Sequence, residues 1–216
     1  MHYKSKVPSC PVCNTRYRND SVTWWLKGKN DVWSDGYRPY DISHEFPLIT
    51  CCNECYNYFW VSAADNPCFR EYRGSSLAIK RIDLNSEISY CSLRKLTAEE
   101  YAEALALRVY RDPDEERYLR FNLWWSINSL VRNGKAGEIS RQIQELFEEN
   151  LETLIYKTNP DCPESLMMLA EMHRELGLFN EAAKILDRIN KNVSGNEAAV
   201  KIRQRIAMED KQVFLI

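Results

Sequence analysis

The sequence has no run of about 20 uncharged apolar residues, the length needed to cross a bilayer, so no membrane-spanning helix is expected. Its first residues, Met1-His2-Tyr3-Lys4-Ser5-Lys6, lack the apolar stretch of a secretory signal, which points to a cytoplasmic protein. Histidine is scarce. His2, His44 and His173 are the only three, and none stands in a motif that pairs a base with a nucleophile. Glycine is scarce too, with seven residues and no glycine-rich loop of the kind that cradles phosphate. These two absences make an enzyme the least favoured function class.

There is also no strong excess of positive charge. The formal net charge is −2, so the whole molecule gives no electrostatic reason to bind nucleic acid. The charge is divided unevenly, about +3 over residues 1–96 and about −5 over residues 97–216. Apolar residues make up 44% of the chain and charged residues 28%, which is ordinary for a folded protein. At 216 residues the chain suits two unequal modules. We place them at 1–92 and 93–216.

What is present in quantity is cysteine, eight residues in all. In a reducing compartment, thiolates on a metal are favoured over disulfide bridges. Ser9-Cys10-Pro11-Val12-Cys13-Asn14 and Thr50-Cys51-Cys52-Asn53-Glu54-Cys55-Tyr56 each contain C-x-x-C. Two thiolates at that spacing reach one ion when the backbone between them forms a tight knuckle. Pro11 fixes φ at the start of such a turn, and Asn14 tolerates the left-handed conformation that follows it. Cys10, Cys13, Cys52 and Cys55 are therefore the candidate ligands of one Zn2+. Four thiolates leave no position for water or substrate, so the ion is expected to be structural. Three alternatives remain at this level: Cys51 in place of Cys52, His44 as a ligand, and a redox role for one cysteine pair.

Between the knuckles, Val22-Thr23-Trp24-Trp25-Leu26 has strand character, and turns are expected at residues 27–31 and at Asp35-Gly36, as in a β-hairpin insertion. Tyr56-Asn57-Tyr58-Phe59-Trp60-Val61 forms a further strand-like run, and residues 77–82 are another candidate strand. The aromatics Trp24, Trp25, Trp33, Tyr37, Tyr40, Phe59 and Trp60 either fill a small core or present a stacking platform. In the second case Arg16, Arg18, Lys27, Lys29 and Arg38 are the natural phosphate contacts.

From Leu96 onward the periodicity becomes helical. Thr97-Ala98-Glu99-Glu100 is a capping-box pattern. Residues 113–132 start with Pro and three acidic residues and carry Leu119, Leu123, Ile127 and Leu130 on one face. A third helix follows, with Ile139, Ile143, Leu146, Phe147, Leu151, Leu154 and Ile155 continuing the pattern. Leu166, Leu169, Ala170, His173, Gly177, Phe179, Glu181, Ala182, Leu186 and Ile189 then fall at spacings that resemble one tetratricopeptide repeat. No second clean copy exists. Residues 197–210 are expected to form a terminal capping helix.

Taken with Cys10-Pro11-Val12-Cys13, Trp33-Ser34-Asp35-Gly36, Cys52-Asn53-Glu54-Cys55 and Phe59-Trp60, the repeat-like segment gives the whole chain a family resemblance. It resembles uncharacterised bacterial proteins that join an amino-terminal zinc ribbon to a carboxy-terminal tetratricopeptide-like region. The resemblance implies an α+β chain, with a small β zinc-ribbon-like module followed by an all-α helical-hairpin region. The expected function is a non-enzymatic adaptor that binds a protein through its helices, with Asn122, Asn128, Arg132, His173 and Arg174 as candidate contacts. Nucleic-acid binding by the zinc module is the second expectation.

Overall fold

A computed structural model describes residues 8–18, 31–39, 47–61, 91–189 and 197–216. The fold is α+β, and the chain divides into two compact units. The smaller comprises residues 1–26 and 45–96, the larger residues 27–44 and 97–216. Residues 27–44, from between the two knuckles, group with the helices. The expected strands at 22–26 and 77–82, with His2, His44 and Cys68, lie outside the described residues.

In the smaller unit, β2 (Ile49–Cys51) and β3 (Tyr58–Trp60) pair antiparallel, with Thr50 opposite Phe59. β1 (Tyr17–Arg18) and β4 (Cys91–Ser92) pair parallel, with Tyr17 opposite Cys91. The core beneath them is small. Cys10, Tyr17, Cys52, Phe59 and Val61 form it, with the Tyr17 and Phe59 rings 5.3 Å apart. Among the described residues, Ile49, Thr50, Cys51 and Leu96 of this unit are buried as well.

The larger unit contains, among the described residues, α1 (Ala98–Ala106), α2 (Pro113–Arg132), a short 3-10 helix (Ala136–Glu138), α3 (Arg141–Lys157), α4 (Pro163–Glu175), α5 (Phe179–Arg188) and α6 (Glu197–Ala207). Each α-helix packs on the next in sequence. Local chemistry sets the starts. Thr97 Oγ1 accepts from Glu100 N–H, while the Glu100 carboxylate accepts from Thr97 N–H, completing the capping box. Asp112 and Ser140 cap α2 and α3 through the amides of Glu115 and Ile143. The buried face of α2 is Leu119, Leu123, Trp124 and Ile127, and that of α3 is Phe147, Leu151 and Leu154.

The α4–α5 turn depends on Gly177. Its φ of 81° lies in the left-handed region, where a side chain is strained. There the Gly177 amide donates to Arg174 O and the Leu178 amide to His173 O, the paired bonds of a Schellman ending. Ala170 and Ala182 are wholly buried and allow the two helices to approach closely.

The segment at Trp33–Tyr37 is a turn laid against α2. Gly36 N–H donates to Trp33 O, and the Asp35 carboxylate accepts from the Tyr37 amide. The other Asp35 oxygen accepts from Asn128 Nδ2 at 2.9 Å and from Arg132 Nη1 at 2.6 Å, while Asp35 O accepts from the Trp125 indole. The Arg132 guanidinium lies over the Tyr37 ring, 4.3 Å from its centroid. On the outer side, Trp33 pairs antiparallel with Leu215, and Ile216 N–H donates to Val32 O.

Because Asp35 is fully buried, removing its carboxylate leaves Arg132 and Asn128 without their shared acceptor. Asp35→Ala is expected to lower stability by about 3–5 kcal/mol, read as a fall in the urea midpoint of helix unfolding.

Candidate metal centre

The two knuckles are built alike. In the first, Cys10 N–H donates to Thr15 O and Asn14 N–H to Cys10 O; in the second, Cys52 N–H donates to Asn57 O and Tyr56 N–H to Cys52 O. Both turns close through a left-handed residue, Asn14 at φ 60° and Tyr56 at φ 58°. Each turn presents its two thiols to the same side, and the pairing of β2 with β3 fixes the second knuckle between paired strands.

The four Sγ atoms of Cys10, Cys13, Cys52 and Cys55 lie within 4.8 Å of one another. Two separations cross between the knuckles: Cys10 to Cys55 is 3.6 Å and Cys13 to Cys52 is 3.5 Å. Sulfur ligands about 2.3 Å from a tetrahedral ion stand roughly 3.8 Å apart, so the cluster matches the edge length such an ion requires. The donor set also fits the chemistry. Four thiolates suit a soft or borderline cation and exclude the hard oxygen-seeking ions.

Burial and hydrogen bonding treat the thiols differently. Burial dominates at Cys10 and pushes its thiol up to about 12. At Cys52 burial also opposes ionisation, but the Tyr17 hydroxyl, the amides of Cys55 and Glu54, and the Cys13 thiol outweigh it and bring the group down to about 6. Asn57, through its side chain and its amide, lowers Cys55. The Tyr17 hydroxyl and the neighbouring amides thus favour the thiolate form of Cys52, the form in which a cysteine binds a metal.

Tyr17 is the main support around the ligands. Its hydroxyl donates to Cys52 Sγ at 3.1 Å and accepts from Asn53 N–H at 2.9 Å, joining β1 to the second knuckle. Nothing in the sequence pattern singled it out. Thr15 Oγ1 lies 3.0 Å from Cys13 Sγ.

The choice between Cys51 and Cys52 is settled by the alternation of β2. Cys51 Sγ sits against the carbonyls of Cys52 and Tyr56, away from the cluster. The thiol of Cys91 packs against the small core.

The candidate partner contacts are placed differently from what the helical pattern suggested. Asn128 and Arg174 are buried, and Arg132 is nearly so at its side chain. Asn128 and Arg132 are committed to Asp35. Arg174 forms a two-point pair with Glu171 at 2.6 and 2.8 Å and donates to the carbonyls of Asp210 and Gln212. Those three are structural groups, since their polar atoms face internal acceptors and not solvent. Asn122 and His173 are half-buried and bond to carbonyls of the preceding helical turn, Tyr118 and Leu169.

The aromatic set divides as well. Phe59 belongs to the small core, and Trp33 and Tyr37 lie against Arg132. Trp24, Trp25, Tyr40, Lys27 and Lys29 are outside the described residues. Among the described residues no helix is long and apolar enough to cross a membrane.

Comparison with family models, with curated proteins and with solved structures finds no match to this chain. The metal centre and the helical unit therefore rest on their own geometry.

Two outcomes test the centre. The purified chain should hold one metal ion, lose it on Cys52→Ser and keep it on Cys51→Ser, as measured by elemental analysis. Tyr56 is 76% exposed, and its left-handed backbone costs a bulky residue about 1–2 kcal/mol, so Tyr56→Asn should stabilise the metal-bound smaller unit by about 1 kcal/mol in denaturant titration.

Proposed function

We propose that this chain is a non-enzymatic interaction protein, with a zinc-ribbon-like head held by one structural Zn2+ and a tetratricopeptide-like helical unit that binds a protein partner. The observation that carries the first half is the convergence of four thiols from two matching knuckles. Zinc is the natural occupant of a tetrahedral four-thiolate site in a small domain. A closed ligand set supports a structural ion over a catalytic one.

The helical half of the proposal is supported by the α4–turn–α5 hairpin with Ala170 and Ala182 at its seam, followed by α6. Helical hairpins stacked in this way offer extended surfaces to peptides and helices. With Asn128, Arg132 and Arg174 turned inward, the surface candidates become exposed apolar side chains on the helices. Tyr156 on α3 is 90% exposed, and Val200 on α6 and Met208 beyond it are also prominent. Exposed apolar side chains are accessible to a partner, as a buried arginine already paired is not.

The test is affinity purification of the full chain from its source cells, followed by identification of the bound protein. The combined substitutions Tyr156→Asp, Val200→Asp and Met208→Asp should reduce recovery of the partner at least tenfold, while Val12→Asp with Tyr56→Asp on the knuckles leaves it unchanged. The reverse pattern, or capture of nucleic acid by the smaller unit with a steep salt dependence, would favour the zinc module as the binding element.

A further inference from the structure

A phenolic hydroxyl has one proton to give, and the surroundings of Tyr17 decide where it goes. The Tyr17 oxygen accepts from Asn53 N–H at 2.9 Å and stands 3.1 Å from Cys52 Sγ. With an amide proton already directed at the oxygen, the hydroxyl proton is left for the sulfur. Tyr17 and Cys52 are both wholly buried, so water does not compete for that bond.

The hydroxyl is also held in place by its own backbone and ring. Tyr17 N–H donates to Pro8 O at 2.8 Å, β1 pairs with β4 through Tyr17 and Cys91, and the ring packs against Phe59. Cys13 is placed quite differently. Its thiol is exposed, and its hydroxyl neighbour, Thr15 Oγ1 at 3.0 Å, lies two positions along the same turn, in a contact that either atom can donate.

We propose that Tyr17 is a positioning residue of the metal centre, that its hydroxyl makes Cys52 the anchor ligand, and that ligand exchange begins at the exposed Cys13. This rests on the reading of the four cysteines as a metal site. A divalent cation with four thiolates keeps a net negative charge, and a buried dipole fixed on one sulfur offsets part of it. Drawing charge from the Cys52 sulfur makes it a poorer nucleophile, and burial keeps incoming thiols and electrophiles from reaching it. Cys13 has neither protection.

The test uses the full chain loaded with Co2+, whose sulfur-to-metal charge-transfer band reports the electron density on the ligands. Tyr17→Phe keeps the ring and removes only the hydroxyl. It should weaken Co2+ binding about tenfold in competition with a chelator and move the band to lower energy, because the Cys52 sulfur becomes richer in charge. Phe59→Leu trims the same small core without touching the hydroxyl, and should lower stability while leaving the band in place. Substoichiometric N-ethylmaleimide on the metal-loaded wild type, read by peptide mass spectrometry, should label Cys13 ahead of Cys52, and Tyr17→Phe should narrow that gap. The proposal is overturned if the Tyr17→Phe band stays at the wild-type energy, whether or not affinity falls, if Phe59→Leu moves the band equally, or if Cys52 is labelled before Cys13. A wild-type chain that takes up no Co2+ overturns the metal reading as well, whereas a wild-type centre of four sulfurs with an unshifted Tyr17→Phe band overturns this proposal alone.

Discussion

Four cysteine sulfur atoms gathered within 4.8 Å form the arrangement on which the smaller unit is built, and as thiolates they would repel one another unless a cation lay between them. Two of the thiols are fully buried, and one of these, Cys52, is held toward its thiolate form by the Tyr17 hydroxyl and nearby amides. Further ionisation without a cation would crowd like charges into a space too small to screen them. A metal ion at this site would reverse the sign of that problem and link residue 10 to residue 55 through its ligands. In the smaller unit such a link would join short paired strands around a small cluster of buried side chains.

The larger unit solves its own polar problem with paired charges. Asp35 gathers Asn128, Arg132 and the Trp125 indole, and Arg174 gathers Glu171 with two carbonyls of the C-terminal segment. Each pair fixes a non-helical stretch to a helix. Buried pairs of this kind add little net stability, but breaking one is costly, so they fix which segments dock where. Glu175 takes its hydrogen bonds from the Trp124 indole and Asn128, with the Arg174 guanidinium 3.9 Å away.

How much of this was legible in the residues depended on how local the cause was. The thiol spacing, the Thr97–Glu100 capping box, the Pro113 start of α2 and the Gly177 turn are all decided within a few positions, and each was legible. The register of the second knuckle was open because Cys51 and Cys52 are adjacent; the one-residue alternation of β2 decides it. The inward placement of Asn128, Arg132 and Arg174 was not legible. Their partners, Asp35 and the carbonyls of Asp210 and Gln212, lie 93, 97, 36 and 38 positions away, and no periodic pattern encodes such pairs. The same holds for Tyr17, which supports Cys52 across 35 positions.

The account rests on a single ion held by four sulfurs, and X-ray absorption at the metal edge of the purified chain measures that directly. The prediction is four sulfur neighbours at about 2.3 Å and no nitrogen or oxygen in the first coordination sphere. A sphere containing oxygen or nitrogen, or a folded chain with no metal and its knuckle cysteines joined as disulfides, would contradict it.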